Sequence, residues 1–464
     1  MKLKRIVSFV LFIGIIMSLT SVALSASEKI SLDDWKSYYS TIDNTIINLT
    51  PGADESELNF SWHSSFTAQK PVVRISENED MSDYDEFIGT TSVSDVIGQR
   101  VNRVTATGLE ENTTYYYTYS SDGDDFSEPS VYITHSSDSF KFLFVSDQQP
   151  NSEKYDLAEN SYKWNTVLEE AFNNNDDISF IVSAGDMTNS GDVKFEWTAT
   201  LSPKYLRSYA MATVVGNHDN RGLIPTYSHY VNNPNTYLGL WPSIAGNGYW
   251  FRYGDVLFVM INSNKINSHD TYKLVDLAVD ANPDAKWRIG VMHHDVYGTG
   301  GHASQESAAK IRALVVPAFE ENDFDVILTG HDHIYGRSYF MDKGEIVRND
   351  SYNSGVVTDP DGILYMTSFA SSGNSRKPSE DHNYPWLGYV NESGNDGYST
   401  IEITDDGEFI IKAFDSTAGE QIDEFKIIKT DFTFEEKDNG GYFYGALIPY
   451  LCEKYPFFAK ILGK

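Results

Sequence analysis

Hydrophobic and polar positions change their grammar along this chain. From about Ile46 to Ser136 the apolar positions fall in short runs: "ELNFSWHS", "PVVRISEN", "VNRVTATGL", "TTYYYTYSS" and "PSVYITHS". Leu58, Phe60 and Trp62 show a period of two, and Gly, Asn, Asp or Ser bound each run. β-Branched and aromatic residues in this pattern read as half-buried strands, and together the runs predict an antiparallel β-sandwich over residues 44–136. From Phe140 continuous apolar runs take over: "FKFLFVS", "DISFIVSAG", "MATVVG", "GDVLFVMIN", "KWRIGVMHH" and "FDVILTG". Helix-period segments, "NSYKWNTVLEEAFNN" and "AAKIRALVVPAFEEN", lie between them. Strands buried on both faces, alternating with amphipathic helices, predict an α/β layered domain over 138–429. "YSTIEITDDGEFIIKAFD" adds a hairpin around Asp405, Asp406 and Gly407.

The ends of the chain read differently. "MKLKRIVSFVLFIGIIMSLTSVALSAS" has a basic start (Lys2, Lys4, Arg5), an apolar run from Ile6 and small residues at Ala23 and Ser25. That is the layout of a secretory signal peptide over 1–25. A polar lead, 26–43, carries no assigned element. A tail, 430–464, is acidic, then Gly-Gly, then aromatic. No later stretch reaches spanning length, so the expectation is a mature chain without a transmembrane segment, secreted or held at the cell surface.

Composition narrows the chemistry. The 464 residues suggest two or three domains. Cys452 is the one cysteine, so stability rests on packing or metal rather than on an internal disulfide. The formal net charge of −32 repels polyanions, which excludes nucleic-acid binding over a broad surface. A small anion at a local cation remains compatible with it.

The chemistry collects after the buried strands. Asp147, Gln148 and Gln149 follow "FLFVS", and Gly185 and Asp186 follow "FIVSA". Gly216, Asn217, His218 and Asp219 follow "ATVV", and His293 and His294 follow "RIGVM". Gly330, His331, Asp332 and His333 follow "DVILT". A Gly-Asp turn alone is ordinary loop chemistry. Five strand ends that each deliver an ionisable or polar group are not, because ligands of open α/β sheets sit at the carboxyl ends of the strands. Oxygen and imidazole donors together suit ions such as Mn, Fe and Zn.

In that order these motifs resemble the calcineurin-type metallophosphoesterase superfamily. The spacing from Leu109 to Tyr115 is similar to the tyrosine corner of fibronectin-III-like sandwiches. With "LTPGADESELNFSW" and "GHDHIYGRS", the front domain makes residues 46–425 resemble the purple acid phosphatase branch. The resemblance implies a fibronectin-III-like β-sandwich followed by a βαβαβ domain, a two-sheet sandwich flanked by helices. It implies two divalent metal ions (Mn, Fe or Zn, alike or mixed). Asp186 would bridge them, with Asp147 and His333 on the first ion and Asn217, His293 and His331 on the second. His218 would face the substrate phosphate with Asp219 orienting it, and His302 in "YGTGGHASQES" matches a further substrate histidine. Asp332 would point away.

Two cations roughly 3.5–4 Å apart activate water and clamp a phosphoryl group. Histidine can then bind phosphoryl oxygens or protonate the leaving oxygen. The chain departs from the branch where Asn189 replaces the tyrosine three residues after the bridging aspartate, which predicts no purple colour and favours divalent pairs. Gln149 stands where a histidine is often found, and "YGR" (335–337) lacks the usual acidic residue. The expected function is a secreted dinuclear phosphatase acting on small phosphate monoesters. Two alternatives stand beside it: a phosphodiesterase or nucleotide hydrolase on the same site, and a non-catalytic surface module using Trp62, Tyr115 and Tyr117 to stack on sugars.

Overall fold

A computed structural model describes residues 29–151, 155–240, 242–379, 381 and 383–432. The expected signal peptide and all of the tail beyond residue 432 lie outside the described residues. The polar lead is less featureless than its composition implies. Ser31 caps the helix Leu32–Tyr39, its hydroxyl accepting from Asp34 N at 3.2 Å. Trp35 is buried, Tyr38 donates to the Ser202 carbonyl at 3.0 Å, and Lys36 reaches Glu159 at 3.0 Å.

The sandwich is present, as two four-stranded antiparallel sheets. One orders Asn48–Pro51, Glu57–Ser65, Gln99–Thr107 and Thr90–Val93; the other orders Asp85–Ile88, Val72–Ser76, Thr114–Ser120 and Ser130–Ile133. Strands Asp85–Ile88 and Thr90–Val93 escape the periodicity test because they are edge strands with mostly exposed side chains. Leu58, Phe60, Trp62, Val73, Val104, Tyr115 and Tyr117 fill the space between the sheets. Trp62, Tyr115 and Tyr117 are buried there, which removes the aromatic surface that the sugar-stacking alternative needs. The tyrosine corner closes as expected: Glu110 N donates to Tyr115 Oη at 2.8 Å.

Two larger sheets face one another behind it. The seven-stranded sheet runs Met211–Thr213, Ile178–Ser183, Phe140–Val145, Gly397–Ile403, Glu408–Asp415, Glu420–Ile428, Val356–Thr358. The other runs Tyr249–Tyr253, Val256–Ile261, Trp287–Met292, Val326–Thr329, Ile363–Thr367, Gly336–Asp342, Glu345–Val347, with Leu387–Val390 on Gly336–Asp342. Phe142, Phe144, Phe180, Phe258, Val291 and Leu328 interdigitate between them. Helix Leu157–Asn174 covers the first sheet, and Ser268–Ala281 and Glu306–Leu314 cover the second. "AAKIRALVVPAFEEN" forms two helices rather than one, because Pro317 cannot continue the first.

The parallel strands of both sheets point their carboxyl ends at one edge. The front sandwich grips the domain beside that edge. Asn48 Nδ2 donates to the Tyr230 carbonyl at 2.8 Å, Arg103 Nε to the Val231 carbonyl at 3.2 Å, and Asn232 Nδ2 to the Val104 carbonyl at 3.1 Å. Tyr230 and Val231 lie on the segment that continues from the Asn217-His218-Asp219 turn. No helix among the described residues is long and apolar enough to cross a membrane.

Candidate metal centre

Every strand end singled out by the sequence arrives at this edge in a tight turn. Asp147, Asp186, His331 and His333 adopt positive φ values of 53°, 53°, 75° and 60°. Four non-glycine residues in the left-handed region within one site is the kind of backbone strain that accompanies function. The preceding glycines are required by close approach. A Cβ on Gly216 would lie 2.0 Å from Asp186 Oδ1, and one on Gly330 would lie 2.6 Å from Asp147 Oδ2.

The side chains then converge. His293 Nδ1 lies 2.9 Å from the Ala184 carbonyl, so in a neutral ring it carries the proton and donates. Its Nε2 lone pair faces Asn217 Oδ1 at 2.9 Å, Asp186 Oδ2 at 3.1 Å and His331 Nδ1 at 3.1 Å. A second group repeats the logic. His333 Nδ1 lies 3.0 Å from the Asn374 carbonyl, and its Nε2 stands 3.2 Å from Asp147 Oδ1. That buried carboxylate oxygen has no hydrogen-bond partner. Buried acceptors aimed at one another, with the ring protons held elsewhere, need a cation between them. Burial works against charge on His293, yet Asp186 beside it outweighs that and pushes its pKa up to about 9. In the absence of an ion a proton takes the ion's place. Asp186, His293 and His331 form the metal-competent cluster among the described residues.

Asp186 is also held from two neighbouring loops. Its Oδ1 accepts from His218 N at 2.7 Å and its Oδ2 from Gln149 Nε2 at 3.0 Å. Gln149 therefore meets the centre through Asp186, at a backbone φ of 29°. Asn189 meets it through its main chain, its carbonyl lying 2.9 Å from His218 Nδ1.

The substrate-facing candidates divide. His218 is half-buried, and Arg221 Nη1 lies 2.8 Å from its Nδ1. Burial, more than any neighbour, lowers the His218 pKa. His302 brings its ring centroid to 4.1 Å from that of His331. Asp219 does not orient the His218 imidazole. Its Oδ1 accepts from Thr188 N at 2.9 Å and Thr188 Oγ1 at 3.0 Å, and its Oδ2 accepts from Gly216 N at 2.9 Å. It pins two ligand loops together instead, and burial with nearby Asp186 pushes its pKa up to about 7. His294 is half-buried beside the site with Nδ1 2.8 Å from Ser263 Oγ. Burial and His293 hold its pKa down to about 3, so it stays neutral.

Some contributors carry no motif. Glu196 is buried and accepts from Asn189 N at 2.9 Å, Ser190 N at 2.7 Å and Asn151 Nδ2 at 2.8 Å, joining the loops after Asp147 and Asp186. Asn264 Nδ2 holds the Val215 carbonyl at 2.9 Å. Ser263 and Asn264 follow strand Val256–Ile261, so the strand-end rule extended to "NSN" would have found them.

Comparisons with known proteins agree with this geometry. Residues 140–335 match the calcineurin-like phosphoesterase family model, and residues 45–143 match the purple acid phosphatase N-terminal domain. A sequence search of curated proteins finds no match. Among solved structures, the fold is similar to purple acid phosphatase PPD1 from yellow lupin (Lupinus luteus) seeds. That likeness has a TM-score of 0.66 and 12% identity, covering 82% of this chain and 74% of that one. The fold is also similar to PhoD, with a TM-score of 0.53 and 13% identity over 89% of this chain and 98% of that one. The family works with dinuclear metal centres. The chain thus joins a purple acid phosphatase N-terminal domain to a calcineurin-like phosphoesterase domain, and it belongs with the metallophosphoesterases, metal-dependent hydrolases of phosphoric esters.

Proposed function

We propose that this protein is a dinuclear-metal phosphatase that releases phosphate from small monoesters outside the cytoplasm. The observation that carries the reading is the convergence of Asp186 Oδ2, Asn217 Oδ1 and His331 Nδ1 within 3.1 Å of His293 Nε2. Asp186 is assigned as the carboxylate shared by both ions. Asp147 and His333 serve the first ion, and Asn217, His293 and His331 serve the second. When bound, the two ions supply Lewis acidity toward water and the phosphoryl oxygens. With Asn189 in place of a phenolate ligand, the pair is divalent, drawn from Mn, Fe(II) and Zn.

The chain's own residues do the rest. His218 donates its Nε2 proton to a phosphoryl oxygen while its Nδ1 accepts from Arg221 Nη1. His302 faces the leaving oxygen. Arg221 beside His218, and Arg376 whose charge reaches His333, offer two exposed cations on a strongly acidic protein. A monoester dianion suits that pair better than a diester monoanion. The leader at residues 1–25 supports export. The test compares p-nitrophenyl phosphate with bis-p-nitrophenyl phosphate at equal metal loading. The reading expects the monoester to turn over faster and a chelator to abolish both reactions. A faster diester reaction would transfer the site to phosphodiester chemistry.

A further inference from the structure

The turn that offers His331 and His333 to the centre holds Asp332 between them, and Asp332 faces the other way. It is buried, and its carboxylate meets both the buried Asp295 carboxyl and two backbone N–H groups of the loop that carries His302. Oδ2 accepts from Gly300 N at 2.6 Å, and Oδ1 accepts from His302 N at 3.1 Å. A Cβ on Gly300 would lie 2.5 Å from Asp332 Oδ1, so the loop backbone packs directly on the carboxylate. The same loop is tied by Thr299 Oγ1 to the Ile334 carbonyl at 2.9 Å and by Tyr384 Oη to the Gly300 carbonyl at 3.1 Å. His331 Nδ1 faces the ligand cluster, and the His302 ring stands 4.1 Å from the His331 ring. Two backbone N–H groups on one carboxylate form a charge-assisted clamp, stronger than neutral hydrogen bonds. One turn therefore sets both the ligands and the distance from them to His302.

We propose that Asp332 is a positioning residue for leaving-group protonation: through its grip on Gly300 and His302, the ligand turn fixes where the His302 proton is delivered. This rests on the reading of His302 as the group facing the leaving oxygen. As an imidazolium, His302 gives its Nε2 proton to the ester oxygen as the P–O bond breaks, its electron pair staying on that oxygen, and His302 is left neutral. The Gln305 amide, 2.9 Å from His302 Nδ1, has both a donor and an acceptor and serves either form of the ring.

The test uses full-length protein with a measured metal content, in four forms: the parent, Asp332→Asn, His302→Ala and the double variant. An amide at 332 keeps the shape but turns an N–H toward one of the two loop N–H groups. On glycerol phosphate, whose alkoxide needs a proton, Asp332→Asn is expected to lower kcat about 10–100-fold with KM and metal content nearly unchanged. On p-nitrophenyl phosphate, whose leaving group needs none, kcat should fall only about threefold or less. The double variant should match His302→Ala within about twofold on both substrates. Equal losses on the two substrates, multiplicative losses in the double variant, or loss of metal from Asp332→Asn would each overturn the proposal. His302→Ala with an unchanged rate on glycerol phosphate would overturn the acid role, and this proposal with it, while leaving the metal assignment standing. Should Asp332→Asn not fold, Gly300→Ala pushes the loop off the carboxylate from the other side. It should then show the same selective loss on glycerol phosphate, and a loss equal on both substrates would refute the clamp.

Discussion

The interior of the front sandwich and the strand-end edge are both buried, but they bury different things. The sandwich hides Leu58, Phe60, Trp62, Val104 and Tyr117, and its left-handed non-glycine residues, Met81 and Asn112, lie between strands. The edge hides Asp147, Asp186, His293 and His333, with Asp147, Asp186 and His333 in strained turns. Apolar burial lowers the free energy of the folded chain; burial of unpaired acceptors raises it until a cation arrives. Stability and chemistry are thus separable by region, and substitutions can be chosen to break that separation.

The largest expected effect belongs to Asp186. Asp186→Asn should cut phosphatase activity by at least about 1,000-fold, beyond the 10–100-fold typical of partners outside the ligand set. Phe60→Ala should do the reverse. It should cost roughly 3–5 kcal/mol in denaturant unfolding while kcat of the folded fraction stays within about twofold.

Acid sharpens the comparison at the seam. His63 in the sandwich packs against Tyr230 of the other domain, ring centroids 4.7 Å apart, and burial with neighbouring His229 lowers its pKa from 6.5 to about 4. The unfolded chain takes up this proton near pH 6.5 and the folded chain only near 4. Stability present above pH 6.5 is therefore lost as the pH falls toward 4, by about 3 kcal/mol. His63→Phe should flatten that slope in melts taken across the range, and an unchanged slope would assign it elsewhere. The smallest effect is expected from Asn48→Ala. Removing its bond to the Tyr230 carbonyl should cost about 1 kcal/mol and lower activity at most a few-fold.

How much of this was legible in the chain depends on where the information sits. The sandwich, the two-sheet domain and the polar groups that gather at the strand ends could be read, because period-two alternation, buried apolar runs and strand-end residues are local signals. Helix Lys194–Leu201 was not, since Glu196, Thr198 and Thr200 are among its buried residues, which leaves no apolar stripe, and it lacks a side-chain cap. Helix Ser268–Ala281 was passed over although Asn267 caps it, its hydrophobic stripe being short and broken by polar residues. Asp219 was misread for a different reason. Adjacency to His218 suggested contact, but successive residues of a turn point to different sides, and its carboxylate reaches Thr188 and Gly216 instead. Glu196 gave no signal because it belongs to no strand-end motif, and Asn264 stands after a strand whose end was passed over.

The account stands or falls on whether this edge binds a pair of ions. Elemental analysis of folded protein equilibrated with Mn(II) or Zn(II) and then desalted should find two ions per chain in the parent and fewer in Asp186→Asn. A parent that takes up less than one ion per chain, or a variant that retains both, would contradict it.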